Sequence, residues 1–165
     1  RKFERRLAQA ASPEARERLL ANPFDFIRDV AAARVVCYFP EDADVLVGII
    51  RSGEDFEILE DEAKRKKRGY RGHHFKVRLA PRRAELLEYR DLADVVCEIQ
   101  VKTIYDHAWS EVEHKLRYKS ADYEVMRPPS RAKVDGAFQR TGDLLNAAKR
   151  SMSRLRRIYR ARPRA

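Results

Sequence analysis

The chain has 165 residues, of which 44% are hydrophobic and 38% are charged, and its formal net charge is +10. This length and hydrophobic content are typical of one folded domain and exclude an intrinsically disordered chain. No apolar run is long enough to span a bilayer, so we expect no membrane partner. The positive charge indicates a partner that carries phosphate or another anionic surface.

In the first third of the chain, the residue pattern predicts alternating helices and strands. Ser12 and Pro13 are typical of a helix N-terminus, and this first helix should run through Leu20. The pattern then predicts a strand over 30–39, a helix over 41–52, a short strand over 56–59 and a charged loop over 60–68.

Two strands in the middle of the chain alternate clearly between apolar and polar residues. In the first, Phe75, Val77 and Leu79 alternate with cations. In the second, the period of two places three polar side chains on one face: Glu98, Gln100 and Lys102. Alternation alone favours a solvated face here, and a binding surface is the alternative.

Two helices are predicted in the last third of the chain. In the first, over 104–118, the four-residue spacing predicts a buried stripe of Ile104, Ala108, Val112 and Leu116. A long final helix should follow the prolines at 128–129, capped by Ser130. Its predicted apolar side consists of Val134, Phe138, Leu145, Met152, Leu155 and Ile158. No acid follows Asp143, so this basic tail either tracks an RNA backbone or is a solvated helix end.

The two cysteines, Cys37 and Cys97, each lie in a short apolar run without metal-ligand spacing. We interpret them as core residues in a reducing, cytoplasmic compartment, and a disulfide between neighbouring strands is the less favoured alternative.

The polar residues favour a site built from carboxylates and cations. The glycine-rich loops that bind phosphates in other proteins are absent from the sequence, and so are zinc-ligand patterns. Asp29 and Glu98 are the carboxylates that would hold Mg²⁺; equally, Asp29 caps a turn and Glu98 is solvated. Tyr70, between Gly69 and Gly72, would stack on a base, and the alternative is a hairpin turn with an exposed aromatic ring.

Four motifs occur in an order that is specific for one family. They are Asp29-Val-Ala-Ala-Ala-Arg34, Lys66 through His74 with its Gly-Tyr pair, Glu98-Ile-Gln-Val-Lys-Thr103, and His107-Ala-Trp-Ser-Glu-Val-Glu-His-Lys115. Together they resemble the RelA/SpoT-type synthetase domain, and more narrowly the small alarmone synthetases. The resemblance runs from about residue 24 to residue 118.

The resemblance implies an α+β fold with a mixed sheet flanked by helices, similar to nucleotidyltransferases, and a long C-terminal helix. It implies transfer of the β,γ-pyrophosphate of ATP to the 3′-hydroxyl of GDP or GTP, with Mg²⁺ and release of AMP. It assigns catalysis and metal binding to Asp29 and Glu98, and ATP binding to Arg34. It assigns the acceptor nucleotide to Lys66, Tyr70, His74, Gln100, Lys102 and His107.

The resemblance also sets expectations for the architecture. We expect a synthetase domain over 1–125 and a basic helical extension over 126–165. The family's upstream ATP-binding element is recognisable at most in residues 1–6, so we expect it to be truncated. Arg68 stands where many members carry Asn, which makes the acceptor base less certain. Assembly into a homo-oligomer is a further expectation from relatives.

Two alternative functions stay open at this point. One is a toxic small alarmone synthetase, of the toxin–antitoxin type, that pyrophosphorylates tRNA 3′ ends or adenine nucleotides; the basic tail would hold the tRNA. The other is a non-catalytic RNA-binding module, since Gly69-x-x-Gly72 also matches the loop of KH domains.

Overall fold

The computed structural model describes residues 12–21, 31–65, 70–117 and 120–161. Its strands are β1 (Ala31–Cys37), β2 (Phe56–Arg65), β3 (Arg71–Leu79) and β4 (Cys97–Thr103). Its helices are α1 (Pro13–Ala21), α2 (Pro40–Ser52), α3 (Pro81–Ala84), α4 (Ile104–Leu116), α5 (Ala121–Glu124) and α6 (Pro128–Arg160), with a 3₁₀ helix over Leu87–Leu92. The strands form one mixed sheet in the order β1-β4-β3-β2. This confirms the predicted fold class, including the long C-terminal helix.

Strand β2 is longer than the sequence predicted, because residues 60–65 continue the strand instead of forming a loop. Ion pairs across the sheet explain how so charged a segment holds its place at an edge. Arg78 donates to Glu57, and Lys76 pairs with Glu60 at 2.6 Å. Because the partner numbers rise on β3 as they fall on β2, the two strands are antiparallel. Cross-strand pairs of opposite charge stabilise such ladders, and charged side chains protect an edge strand from aggregation.

The chain folds into two compact units. The first consists of Arg1–Ala33, Glu54–Glu60 and Phe75–Ile99. Its described part buries Phe75, Val77 and Ile99, as the alternation in β3 and β4 predicted. The division of the chain near residue 125, which the motifs suggested, stays a prediction.

The second unit consists of Arg34–Gly53, Asp61–His74 and Gln100–Ala165. Its aromatic cluster is formed by Tyr70, Trp109 and Phe138, and Val134 and Leu145 pack against it. The ring centroids of Trp109 and Phe138 are 5.8 Å apart in a T-shaped contact, and the indole N–H donates to the carbonyl of Phe138 at 3.2 Å. The cluster therefore holds the first half of α6 against α4.

Helix α4 buries a different face from the one predicted. Ile104, Val112 and Leu116 are 41–56% exposed, so the prediction of an apolar buried stripe is wrong. The buried residues of α4 are Asp106, Trp109 and Glu113. Ion pairs explain the difference, because the carboxylate of Asp106 meets Lys149 of α6 and that of Glu113 meets Arg117 at the C-terminus of α4 itself. Hydrophobic periodicity does not register such partners.

Helix α6 begins at Pro128, with Arg127 as its N-cap residue, so the prediction that Ser130 caps it is wrong. Of its predicted apolar side, Phe138 is buried, whereas Met152, Leu155 and Ile158 are exposed. The second half of α6 is held instead by Arg156, which lies 4.5 Å from the ring centroid of Phe39 and pairs with Asp42.

Two smaller expectations have clear outcomes. Ser12 caps α1, since its hydroxyl accepts from the amide of Ala15 at 3.2 Å. Cys37 and Cys97 are free thiols and half-buried, and burial raises the pKa of both.

No helix in the described part of the chain combines the length and apolar character needed to cross a bilayer.

Candidate active site

Strand β4 carries the polar face that the sequence singled out. Glu98 and Gln100 are half-buried, and Lys102 is only 4% exposed. The ammonium group of Lys102 donates to the hydroxyl of Ser110 at 3.3 Å. Since burial of charged groups is unfavourable without partners, this face is not a plain solvated surface.

Tyr70 lies at the centre of a group of predicted acceptor residues. Its hydroxyl is 2.9 Å from Nε2 of His74, and the Nζ of Lys102 is 5.4 Å from its ring centroid. The Tyr70 ring is only 5% exposed, because it packs on Trp109 with 6.2 Å between centroids. In this conformation the ring offers no open surface for base stacking, and the stacking role stays a prediction.

Arg34 and His107 are brought together on the surface of the second unit. The Nη1 of Arg34 donates to Glu111 at 2.6 Å and is 3.5 Å from Nδ1 of His107. The sequence assigned Arg34 to ATP and His107 to the acceptor, so the structure places one residue from each predicted set side by side.

A buried carboxylate that sequence reasoning missed connects three elements. Asp106 accepts from the backbone N–H of Arg71 at 3.0 Å, from Lys149 at 2.8 Å and from the hydroxyl of Thr103. Both charges are almost fully buried, with Asp106 3% and Lys149 7% exposed. The Thr103-x-x-Asp106 spacing was an available signal, since it is typical of a helix N-terminus where both side chains cap the first turn.

A second ion network lies between α2 and the β2–β3 pair. The Arg51 guanidinium donates to Asp61 through Nε at 2.7 Å and Nη2 at 3.0 Å, and His73 contacts the same carboxylate. These contacts, that of Arg51 first, lower the pKa of Asp61 to about 2. Asp61 is therefore ionised at neutral pH and fixes both side chains beside a large cavity.

This cavity has a volume of about 870 Å³ and lies wholly within the second unit. Its wall contains seven Lys and Arg side chains against two aspartates. Helix α6 contributes Lys149, Arg150 and Arg157, and the start of β3 contributes Arg71. Sequence reasoning noted the basic tail but did not predict that its charges line a cavity.

Comparison with known proteins now decides the family. The family model described as the region found in RelA/SpoT proteins matches residues 6–123, which is well over half of the chain.

The chain belongs to the RelA/SpoT family.

Relatives of this RelA/SpoT-family chain include the GTP pyrophosphokinase YjbM of Bacillus subtilis strain 168, which is 27% identical over 144 residues. The alignment covers 86% of the chain and 63% of YjbM, so the chain spans less than two thirds of that relative. The fold is similar to that of small alarmone synthetase 1 from Bacillus subtilis, with a TM-score of 0.71, 22% identity, and 98% and 76% of the two chains covered. A structure of that synthetase bound to its product pppGpp gives a TM-score of 0.64 at 22% identity, covering 92% and 76%.

The described residues hold most, not all, of the site that the family motifs predicted. Glu98, Gln100 and Lys102 follow one another on β4, and Tyr70, His74 and Lys102 lie together. Asp29, Lys66 and residues 1–6 lie outside the described residues. The pairing of Asp29 with Glu98 therefore stays a prediction.

Proposed function

We propose that this chain is a nucleotide pyrophosphokinase that transfers the β,γ-pyrophosphate of ATP to the 3′-hydroxyl of GDP or GTP and releases AMP. The observation that carries the proposal is the family match over residues 6–123, together with the alignment to a GTP pyrophosphokinase over 144 residues. The half-buried face on β4 supports it, because such chemistry needs polar groups held in fixed positions out of bulk water.

Mg²⁺ would be held by Asp29 and Glu98 and would neutralise charge on the transferred phosphates. Two carboxylates are a donor set that fits this ion, and Glu98 is half-buried on β4. In the proposal Glu98 also helps to activate the acceptor hydroxyl, with the phosphates of ATP in line with it.

Arg34 is proposed to stack on the adenine of ATP. Its present partner is Glu111, and the side chains of this pair are 41% and 55% exposed. Exposed ion pairs contribute only about 0–1 kcal/mol. Adenine can therefore replace Glu111 as the partner of the Arg34 guanidinium with little loss of stability.

The acceptor nucleotide is proposed to bind along β3 and β4. His74 and Lys66 would meet its phosphates, and Gln100, Lys102 and His107 would line its seat. Tyr70 would stack on its base after its ring leaves Trp109, with which it now packs. Lys102 is already fixed by Ser110, so its charge is positioned before a ligand arrives.

A transfer assay tests the proposal directly. The protein is incubated with Mg²⁺ and ATP labelled in the β,γ-pyrophosphate, and separately with GDP, GTP, AMP, ADP or deacylated tRNA. We expect label on GDP or GTP. Label only on tRNA or an adenine nucleotide would favour the toxic type of synthetase, and label on no acceptor would contradict a pyrophosphokinase.

Substitution of Glu98 tests its proposed role in the transfer reaction. Glu98→Gln keeps the size of the side chain but removes its charge, so we expect transfer to fall by at least about 100-fold. The matched control is Glu88→Gln, a change at an exposed glutamate in the 3₁₀ helix that should leave transfer unchanged. Equal activity of both variants would remove Glu98 from the reaction.

A further inference from the structure

In the basic cavity of the second unit, the cations of the wall outnumber the carboxylates that pair with them. Lys149 pairs with Asp106, and Arg51 pairs with Asp61. Three further arginines of the wall have no carboxylate partner within the described ranges: Arg71, Arg150 and Arg157. These arginines come from two separate elements, β3 and α6, and their charges face one shared volume.

The second half of α6 is turned opposite to what core packing alone would favour. The residues that line the cavity recur every three or four positions: Asn146, Arg150, Ser153 and Arg157. The apolar residues of the same helical turns are exposed: Met152, Leu155 and Ile158. An amphipathic helix normally buries its apolar stripe and leaves its cations in water. A helix that presents cations to a cavity and apolar groups to solvent indicates that the cavity wall is adapted to an anion.

Most of the cavity wall is distinct from the proposed acceptor seat. Arg71, His73 and Val101 line the cavity, whereas His74 and Gln100, which were assigned to the acceptor, do not. Among the described residues assigned to the acceptor, Lys102 alone also lines the cavity.

We propose that this cavity is a second binding site, for a compact polyanion that contains two or more linked phosphate groups. One guanidinium group can donate two parallel hydrogen bonds to the oxygens of a phosphate. Three arginines around one volume therefore suit a chain of phosphates better than a single anion. The volume of about 870 Å³ is within the range of small-ligand sites. An inorganic polyphosphate and the phosphate chain of a nucleotide share this chemistry. Polyanion binding in this cavity does not require the proposed transfer reaction.

Calorimetric titration of the whole chain with inorganic tripolyphosphate tests the site without reading activity. The double variant Arg150→Gln/Arg157→Gln removes two charges from the cavity wall. The matched control, Arg154→Gln/Arg160→Gln, removes two charges from exposed positions of α6 that do not line the cavity. We expect the dissociation constant to rise by at least about tenfold in the first variant and by less than about twofold in the control.

Other outcomes of the titration either overturn the proposal or identify the ligand. Equal weakening in both variants would mean general attraction to a basic helix, and no binding by the unmodified chain would also overturn the site. Circular dichroism checks folding, and Arg71→Gln on β3 repeats the test if the double variant unfolds. GTP that binds more tightly than tripolyphosphate, with that advantage lost in Arg150→Gln/Arg157→Gln, identifies a nucleotide. Equal affinity for the two ligands identifies the phosphate chain alone.

Discussion

Gly72 illustrates how one residue on β3 controls the position of its neighbour. A Cβ atom at this position would lie 2.9 Å from the ζ carbon of Tyr70 and closer still to its hydroxyl oxygen. The absence of a side chain therefore allows the Tyr70 ring to fold back over its own strand and reach Trp109. The sequence showed this glycine only as a neighbour of Tyr70; in the structure it makes room for the tyrosine ring.

Gly72→Ala should destabilise the protein because the added methyl group would overlap the Tyr70 ring in its buried position. Overpacking of this kind costs about 1–3 kcal/mol in the free energy of unfolding. We expect a matching fall in the urea midpoint and a change in the fluorescence of Trp109, which contacts the displaced ring.

Gly48→Ala is the control for the glycine substitution, and its effect should have the opposite sign. Gly48 lies inside α2, and a Cβ there would meet no atom within 4 Å. Alanine in a helix interior is favoured over glycine by about 0.5–1 kcal/mol. If both variants lose stability equally, the contact with Tyr70 is not the cause.

Single residues were predictable from the sequence only where local chemistry fixes them. Ser12 was recognised as a cap because a cap depends on residues three positions apart. The burial of Lys102 beside Ser110 was missed, since it depends on how α4 folds back along β4.

At the scale of whole elements, alternation was the strongest signal. It identified β3 and β4 because one face of each is buried, and a period of two then appears in the sequence. It failed for residues 60–65 of β2, whose stabilising partners lie on β3 and leave no apolar pattern. The buried face of α4 was hidden for a similar reason, because Asp106 and Glu113 are buried through ion pairs.

The ion pair between Asp106 and Lys149 should be a major link between α4 and α6. Asp106→Asn removes the negative charge and leaves Lys149 buried with its own charge unpaired. Removal of one partner of a buried pair costs about 3–5 kcal/mol. We expect a fall of this size in the free energy of unfolding by urea. The control is Asp143→Asn on α6, an exposed position without an ion pair among the described residues, which should change stability by less than about 0.5 kcal/mol.

A double-mutant cycle tests whether the two charges act as a unit. Lys149→Met replaces the buried cation by an apolar side chain of similar length. The loss in Asp106→Asn/Lys149→Met should be smaller than the sum of the single losses, by about 0.5–3 kcal/mol. Additive losses would show that Thr103 and the Arg71 amide, not Lys149, account for the role of Asp106.

At the scale of the whole molecule, the excess of positive charge is a property that no single contact explains. The net charge is +10, and the last acid is Asp143, so the C-terminal 22 residues carry only cations among their charged side chains. The positions of these cations were not predictable from composition, since the same residues would form a solvated end if α6 were rotated about its axis. Among the described cations of α6, Lys149, Arg150 and Arg157 line the cavity, whereas Arg154 and Arg160 are exposed away from it.

A chain with this net charge repels itself in its compact state, so salt should stabilise it. Between about 0.01 M and 0.1 M NaCl the screening length falls from about 30 Å to about 10 Å. We expect the urea midpoint to rise over this range. Arg154→Gln/Arg160→Gln, which lowers the charge by two without touching the cavity wall, should show a smaller rise. A midpoint that falls with salt would mean that exposed pairs such as Arg34–Glu111 and Arg51–Asp61 outweigh the repulsion, because screening weakens attraction as well.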